Sequence, residues 1–413
     1  MTTIARATSR DVRVSLRAGE GADSIHQPSH YAYAVCELHA DSGIVGTGLS
    51  FTLGDGTELV CGAIDALARH LEGQEIEELM AEWGSAFRRI ADHSQYRWLG
   101  PHKGVVHLAL AAITNACFDL WAKSRGLPLW RLLLDLRPAE MVALLDLSYL
   151  EDVLTREQAA ALLEAEQAGR AERIGVLDAG YPGYDTSVGW FGYTDGEVRD
   201  RARRALSAGF AAVKLKVGGD EDRDVRRAML LRETLGTDAR IMLDANQQWT
   251  IPQAIRMSGR LAPMAPFWVE EPTHPDDILG HQRIARSIAP TRVAAGEHVP
   301  NRVLFKNLLQ AEAIHFVQAD VTRLGGVSEF LTVSLLARAF GKPVVPHVGD
   351  MGQIHQHLVL FNRVALGHEM VFLEYIPHLR DYFVTPAKVL DGRYVTPEEP
   401  GASSDLRAAQ SST

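Results

Sequence analysis

The sequence predicts an α/β protein: a (β/α)8 barrel of the modified TIM type, preceded by an α+β capping domain. Three observations carry this reading. The chain has 413 residues, more than the roughly 250 that one such barrel needs. From about residue 140, short apolar runs alternate with amphipathic stretches, the pattern of parallel βα units. Nearly every apolar run also closes on an ionisable residue: Lys214 and Lys216, Asp244, Glu270, Glu297, Asp320, His347 and Glu374. From Lys216 onward the steps are 28, 26, 27, 23, 27 and 27 residues. One βα unit has about that length, so the charges recur at the carboxyl end of each strand, where the active sites of such barrels are built.

Taken in order, residues 1–135 read as the capping domain, completed by about 380–400. Strands are expected over Ala32–Leu38 and Gly43–Phe51, with a turn between them. Helices are expected over Leu59–Leu71 and Lys103–Lys123, the second stopped by Gly126 and Pro128. The polar segment Gly19–His30 reads as a loop that stays mobile or closes over a ligand. Residues 136–379 read as the barrel. Its strands are expected at Ala211–Val217, Ile241–Leu243, Phe267–Val269, Arg292–Ala295, Ile314–Gln318, Pro343–Val345 and Val371–Leu373. Helices such as Arg223–Leu235, Pro252–Leu261 and Ser328–Phe340 lie between them. The remaining strand falls at Met141–Leu147 or at Tyr184–Val188, with a helical insertion over about 156–177 between the two. Residues 401–413, rich in Ser and Ala, read as a disordered tail.

Composition narrows the function. The formal net charge is −10 and no Lys/Arg-rich run occurs, which argues against nucleic acid as a partner. An acidic chain still binds an anionic substrate where a metal ion and a few lysines reverse the sign locally. Three cysteines, Cys36, Cys61 and Cys117, stand far apart in apolar contexts, so no disulfide framework or zinc cluster is expected. No apolar targeting segment opens the chain and no stretch of about 18 apolar residues is evident. A reduced, cytoplasmic protein without membrane contact is the expectation.

Each strand-end residue type suggests a role. Asp244, Glu270 and Glu297, from three adjacent strands, offer three carboxylates to one point, which suits a hard octahedral cation such as Mg²⁺. Without a cation they would repel one another. Lys214 and Lys216, two residues apart, project from one face of their strand. Two ammonium groups that close disfavour each other's protonation, a route to a lysine base. Asp320, one strand before His347, would orient the imidazole and support its protonated form. His347 would then face Lys216 across the mouth. Glu374 ends the last strand and is suited to hydrogen-bond a bound carboxylate. The pair His355 and His357 does not share a helix face, so it is not read as a metal site.

These segments resemble the enolase superfamily in its mandelate racemase-like branch. The likeness rests on Val213-Lys214-Leu215-Lys216-Val217-Gly218, Leu243-Asp244-Ala245-Asn246-Gln247, Trp268-Val269-Glu270-Glu271-Pro272, Ala295-Gly296-Glu297-His298 and Pro346-His347. Within the branch the sequence is most similar to the L-fuconate dehydratases, through Glu270–His281, Asn301–Lys306, Arg323–Val327 and Gly189–Tyr193. The resemblance implies Mg²⁺ on Asp244, Glu270 and Glu297, and an enediolate intermediate. It implies Lys216 as the base at C2, His347 backed by Asp320 as the acid that releases the C3 hydroxyl, and a 2-keto-3-deoxy acid as product. Lys214, Glu374, Asn246 and His298 are implied as substrate-binding residues. Capping loops around Gly19–His30 and Ser50–Gly56 are implied to close over the substrate. A small-molecule acid sugar and a homo-oligomeric assembly are the implied partners.

The stretch Val348–His355 departs from the dehydratase pattern, so the sugar itself is left open. Another aldonate or aldarate (L-galactonate, L-lyxonate or D-arabinonate), a racemase or epimerase using the same site, and a non-catalytic barrel stand as alternatives.

Overall fold

The protein is described here by a computed structural model over residues 1–407. Three antiparallel strands, β1 (Ile4–Ser15), β2 (His30–Ala40) and β3 (Val45–Thr52), form the capping sheet in the order β1-β2-β3. The sequence reading placed β2 and β3 and missed β1. That strand exposes Arg6, Arg10 and Arg13 and is fully buried only at Ile4 and Val14. Charged residues on an edge strand block pairing with another sheet, and they also hide the strand from hydrophobic patterning. The helix Thr57–Ala68 and the long helix Gly104–Ser124 cover the sheet.

Gly104–Ser124 corrects the expectation that no stretch suits a membrane. An 18-residue window of this 21-residue helix has a mean hydropathy of 1.5, and 83% of that window is buried. The reason is its position: it packs on β2 and β3 on one side and on the helix Val327–Ala339 on another. A helix enclosed all round is apolar all round.

The second sheet is parallel at its centre, with β4 (Tyr181–Gly189), β5 (Ala212–Lys216), β6 (Arg240–Asp244), β7 (Trp268–Glu270), β8 (Arg292–Ala295) and β9 (Phe316–Val317) paired in sequence. Val317 bridges Val344, and β10 (Leu373–Tyr375) returns to pair with β4. Tyr184, Ala212, Met242, Trp268, Ala294, Phe316, Val345 and Phe372, one from each of eight successive segments, share one buried cluster. That ring of side chains is the filled interior of a barrel. Of the two places for the remaining strand, Tyr184–Val188 lies in β4, whereas residues 138–143 form a helix. The insertion is helical from Arg156 onward.

The C-terminal segment divides between the two parts. The hairpin β11 (Val389–Leu390) and β12 (Arg393–Tyr394) extends the barrel sheet by pairing with β4, not with the capping sheet. Leu379, Phe383 and Leu406 instead pack on Tyr31, Tyr33 and Phe51 of the cap. The expected disordered tail is therefore ordered over 401–407: the Leu127 carbonyl accepts from Gly401 N–H, and Lys123 pairs with Asp405 at 2.8 Å. Its remainder, 408–413, lies outside the described residues.

Candidate active site

The parallel register places the charges at one level. Lys216 is directly opposite Asp244, and Asp244 is opposite Glu270. Gly189 permits the approach of β4 to the lysine strand, since a Cβ there would sit 2.6 Å from Leu215 Cα and 2.7 Å from the Lys214 carbonyl. Lys214 Nζ, fully buried, meets Glu270 at 2.8 Å, Glu374 at 2.7 Å and Asp244 at 3.4 Å. Lys216 Nζ meets Asp244 at 2.6 Å.

This geometry corrects one expectation. Burial lowers the proton affinity of both lysines, and Lys214 lowers that of Lys216 further. Their carboxylate neighbours outweigh both effects, so each ammonium is held above the ordinary lysine range. A lysine becomes a base here only when other positive charge takes up the carboxylates. Glu270 is also raised, to about 8: complete burial drives the rise against the pull of Lys214, and Asp244 and Glu374 add to it.

One oxygen from each of Asp244, Glu270 and Glu297 lies within 4.8 Å of the others. Glu297 Oε2 is buried and has no hydrogen-bond partner. Four carboxylates, Glu374 included, crowd around two lysines. An oxygen-lined pocket with excess negative charge, in which Glu297 Oε2 accepts no hydrogen bond and has only an ion-pair contact with His347 Nε2 at 3.5 Å, fits a hard divalent cation.

On the other side His347 Nδ1 donates to Asp320 Oδ2 at 2.8 Å, and its Nε2 lies 3.5 Å from Glu297. Burial pulls the imidazole's pKa down. The Glu297 and Asp320 carboxylates outweigh it and raise the value to about 9. Asp320 Oδ1 accepts from the Thr322 N–H at 2.8 Å and hydroxyl at 2.7 Å, and lies 3.0 Å from His355 Nε2. His355 and His347 together hold Asp320 well below the carboxylate range despite its burial.

Over these groups lies a cavity of about 180 Å³. Lys216, Glu297, His298, Arg323, His347 and Glu374 form its barrel side. Gly21, Asp23, His26, Pro28, Tyr31, Phe51 and Leu53 form its roof. The segment expected to be mobile or to close is thus closed onto the barrel: Phe191 N–H donates to the Ala22 carbonyl at 2.8 Å, and Ser24 Oγ to the Ala245 carbonyl at 3.3 Å. Lys214, Asp244, Glu270 and Asp320 lie beneath the wall, behind the residues that face the cavity. His298 faces it, with Nδ1 2.9 Å from Glu271. Asn246 does not: it is buried, and its Oδ1 is unpartnered.

The sequence reading missed Asp23, His26, Tyr31, Thr186, Trp190 and Arg323 on the wall. It also missed what the unusual stretch 348–355 does. Asp350 Oδ2 accepts from the Tyr33 hydroxyl of the cap at 2.9 Å, while His355 supports Asp320. The neighbouring His357 turns away and accepts from Trp130 N–H at 3.1 Å, as helical spacing requires. No local sequence signal marks these pairs, because their partners lie far off along the chain.

Comparison with known proteins adds to the geometry. Residues 11–133 match the mandelate racemase/muconate lactonizing enzyme N-terminal domain, and residues 197–410 match the enolase C-terminal domain-like family. The chain is 42% identical to human mitochondrial enolase superfamily member 1, covering 98% of this chain and 94% of that protein. The crystal structure of that human protein superposes with a TM-score of 0.94 over the same shares. Identity to an L-galactonate dehydratase of Hypocrea jecorina is 41%, covering 98% of this chain and 92% of that one. A racemase from Streptomyces coelicolor, solved with bound magnesium, is 25% identical with a TM-score of 0.77, covering 98% and 97%.

Proposed function

The chain belongs to the mandelate racemase/muconate lactonizing enzyme family of the enolase superfamily, and from that premise we propose that it is a Mg²⁺-dependent acid-sugar dehydratase acting on L-fuconate or a closely related aldonate. The observation that carries this reading is the pairing of two proton-transfer groups, Lys216 and His347, on the wall of one cavity above the three carboxylates. The likeness to an L-galactonate dehydratase supports the aldonate class; L-fuconate is that acid without its C6 hydroxyl.

Asp244, Glu270 and Glu297 would hold Mg²⁺, whose charge, when bound, offsets the negative charge that builds up on the substrate carboxylate as C2 loses its proton. Lys216 Nζ takes that proton. Lys214 Nζ, beneath the wall and held by Glu270 and Glu374 at 2.8 and 2.7 Å, adds a fixed positive charge behind the carboxylate end. His347 gives its Nε2 proton to the C3 hydroxyl, the C3–O bond breaks, and water leaves. Asp320 holds the Nδ1 proton of His347, so the donated proton is the one at Nε2. The resulting enol takes up a proton at C3 and becomes the 2-keto-3-deoxy acid. The Asp320 carboxylate at Nδ1 favours the protonated imidazole that the acid role requires.

The test is a panel of aldonates and aldarates, followed by NMR for 2-keto-3-deoxy products. The proposal expects dehydration of an aldonate, lost on EDTA treatment and recovered with Mg²⁺. Exchange or inversion at C2 without loss of water from any acid would replace it with a racemase reading.

A further inference from the structure

We propose that Asp23 and His26, on the loop that roofs the cavity, read the hydroxyl end of the substrate and exclude a second carboxylate, which restricts the enzyme to monoacid sugars. This inference rests on the dehydratase reading and concerns the same cavity.

The charged groups of the cavity are unevenly placed: its lysine and arginine are on the barrel side, together with Glu297 and Glu374, and Asp23 stands alone on the roof. Lys216 and His347 stand on the barrel side. Arg323 stands there too, its Nε donating to the Glu297 carbonyl at 2.9 Å, as does His298, held 2.9 Å from Glu271. That is where the reacting carboxylate belongs. The roof supplies no lysine or arginine to the wall among the described residues, and its one formal charge is the Asp23 carboxylate. A substrate bound by its C1 carboxylate on the barrel side turns its far end toward the roof.

The loop fixes what that end meets. Asp23 Oδ1 accepts from the N–H groups of Ile25 and His26 at 2.7 and 2.6 Å, and its Oδ2 lies 3.0 Å from His26 Nδ1. A carboxylate has about four acceptor positions, so one remains free. With Nδ1–H given to Asp23, Nε2 is the ring atom left to meet the substrate. A hydroxyl, which both donates and accepts, matches either group. A carboxylate has no hydrogen to give and would meet the Asp23 charge in a small, partly desolvated space, where like charges repel strongly. The loop cannot easily withdraw: Ser24 and Ala22 tie it to the barrel, and Gly21 (φ +66°) packs where a Cβ would sit 2.3 Å from the Tyr31 hydroxyl oxygen.

The experiment compares two acids that differ only in oxidation at C6, L-galactonate and galactarate. Their binding is measured by calorimetry in the presence of Mg²⁺, on a Lys216→Ala background that prevents turnover. Asp23→Asn keeps the side-chain shape and the acceptor for the loop amides but removes the charge. His26→Gln replaces the ring with a flexible amide and so tests the positioning of the second group. We expect L-galactonate to bind at least about 100-fold more tightly than galactarate. Asp23→Asn should cut that ratio by about 10-fold or more, and His26→Gln should weaken only L-galactonate. An unchanged ratio in a folded Asp23→Asn protein that still binds L-galactonate overturns this inference and leaves the dehydratase reading intact. Failure of both acids and of L-fuconate to bind overturns the reading beneath it.

Discussion

The floor and the roof of the cavity are built by different rules. The floor residues sit on adjacent hydrogen-bonded parallel strands, with Lys216, Asp244 and Glu270 in direct register. The roof residues sit on an irregular loop held to the barrel by a few hydrogen bonds, the Ala22 carbonyl and Ser24 among them. A strand end positions a reacting atom rigidly, whereas a loop tolerates change of sequence and so carries selectivity. The difference separates what the protein does from what it does it to.

The largest effects should come from the floor. Lys216→Ala and His347→Asn should each lower kcat/KM for the accepted aldonate by about 10³- to 10⁴-fold, with an unchanged circular dichroism spectrum. Asp320→Asn should cost less, roughly 100-fold, because the imidazole stays in place but loses the charge that keeps it protonated. Residual turnover near wild type in either of the first two variants would move the chemistry elsewhere.

A smaller effect is expected where floor and roof are joined. Tyr33→Phe leaves Asp350 Oδ2 buried without the cap's donor, at a cost of about 1–3 kcal/mol. Thermal unfolding should show that loss, and kcat/KM should fall by about 10-fold as the cap closes less firmly over the barrel. A full loss of activity would place Asp350 in the chemistry itself.

The smallest effect concerns histidines away from the carboxylates. Burial lowers His357 to about 3 and His368 and His378 to about 4. A folded-state pKa below the unfolded value of about 6.5 means that the unfolded chain binds more protons. Stability is therefore fully present above pH 6.5 and declines as the pH falls toward 4. His347 is opposite in sign, since a raised pKa adds stability below pH 6.5 that fades as the pH rises through about 9. His357→Gln should flatten the acid limb of a stability–pH curve; an unchanged limb would show that other groups set it.

The same division governed what the sequence disclosed. Strand-end charges recurring once per βα unit located the floor, because hydrogen-bonded strands of similar length repeat the same geometry. Lysine basicity was misjudged, since Asp244, 28 residues away, acts more strongly on Lys216 than Lys214 does. Asp23, His26 and the Tyr33–Asp350 link were not legible. Loop positions have no period, and residues 33 and 350 meet only after the whole barrel has closed between them. The tail was misread because small polar residues such as Ser403 and Ser404 suggest disorder, yet both are buried.

The most direct test of the central claim, that Lys216 moves the C2 proton and His347 releases the C3 hydroxyl, is ¹H NMR of the aldonate in D₂O with the two single variants. The account predicts that His347→Asn still washes deuterium into C2 of recovered substrate without forming product, while Lys216→Ala does neither. Exchange in Lys216→Ala, with none in His347→Asn, would contradict it by reversing the two roles.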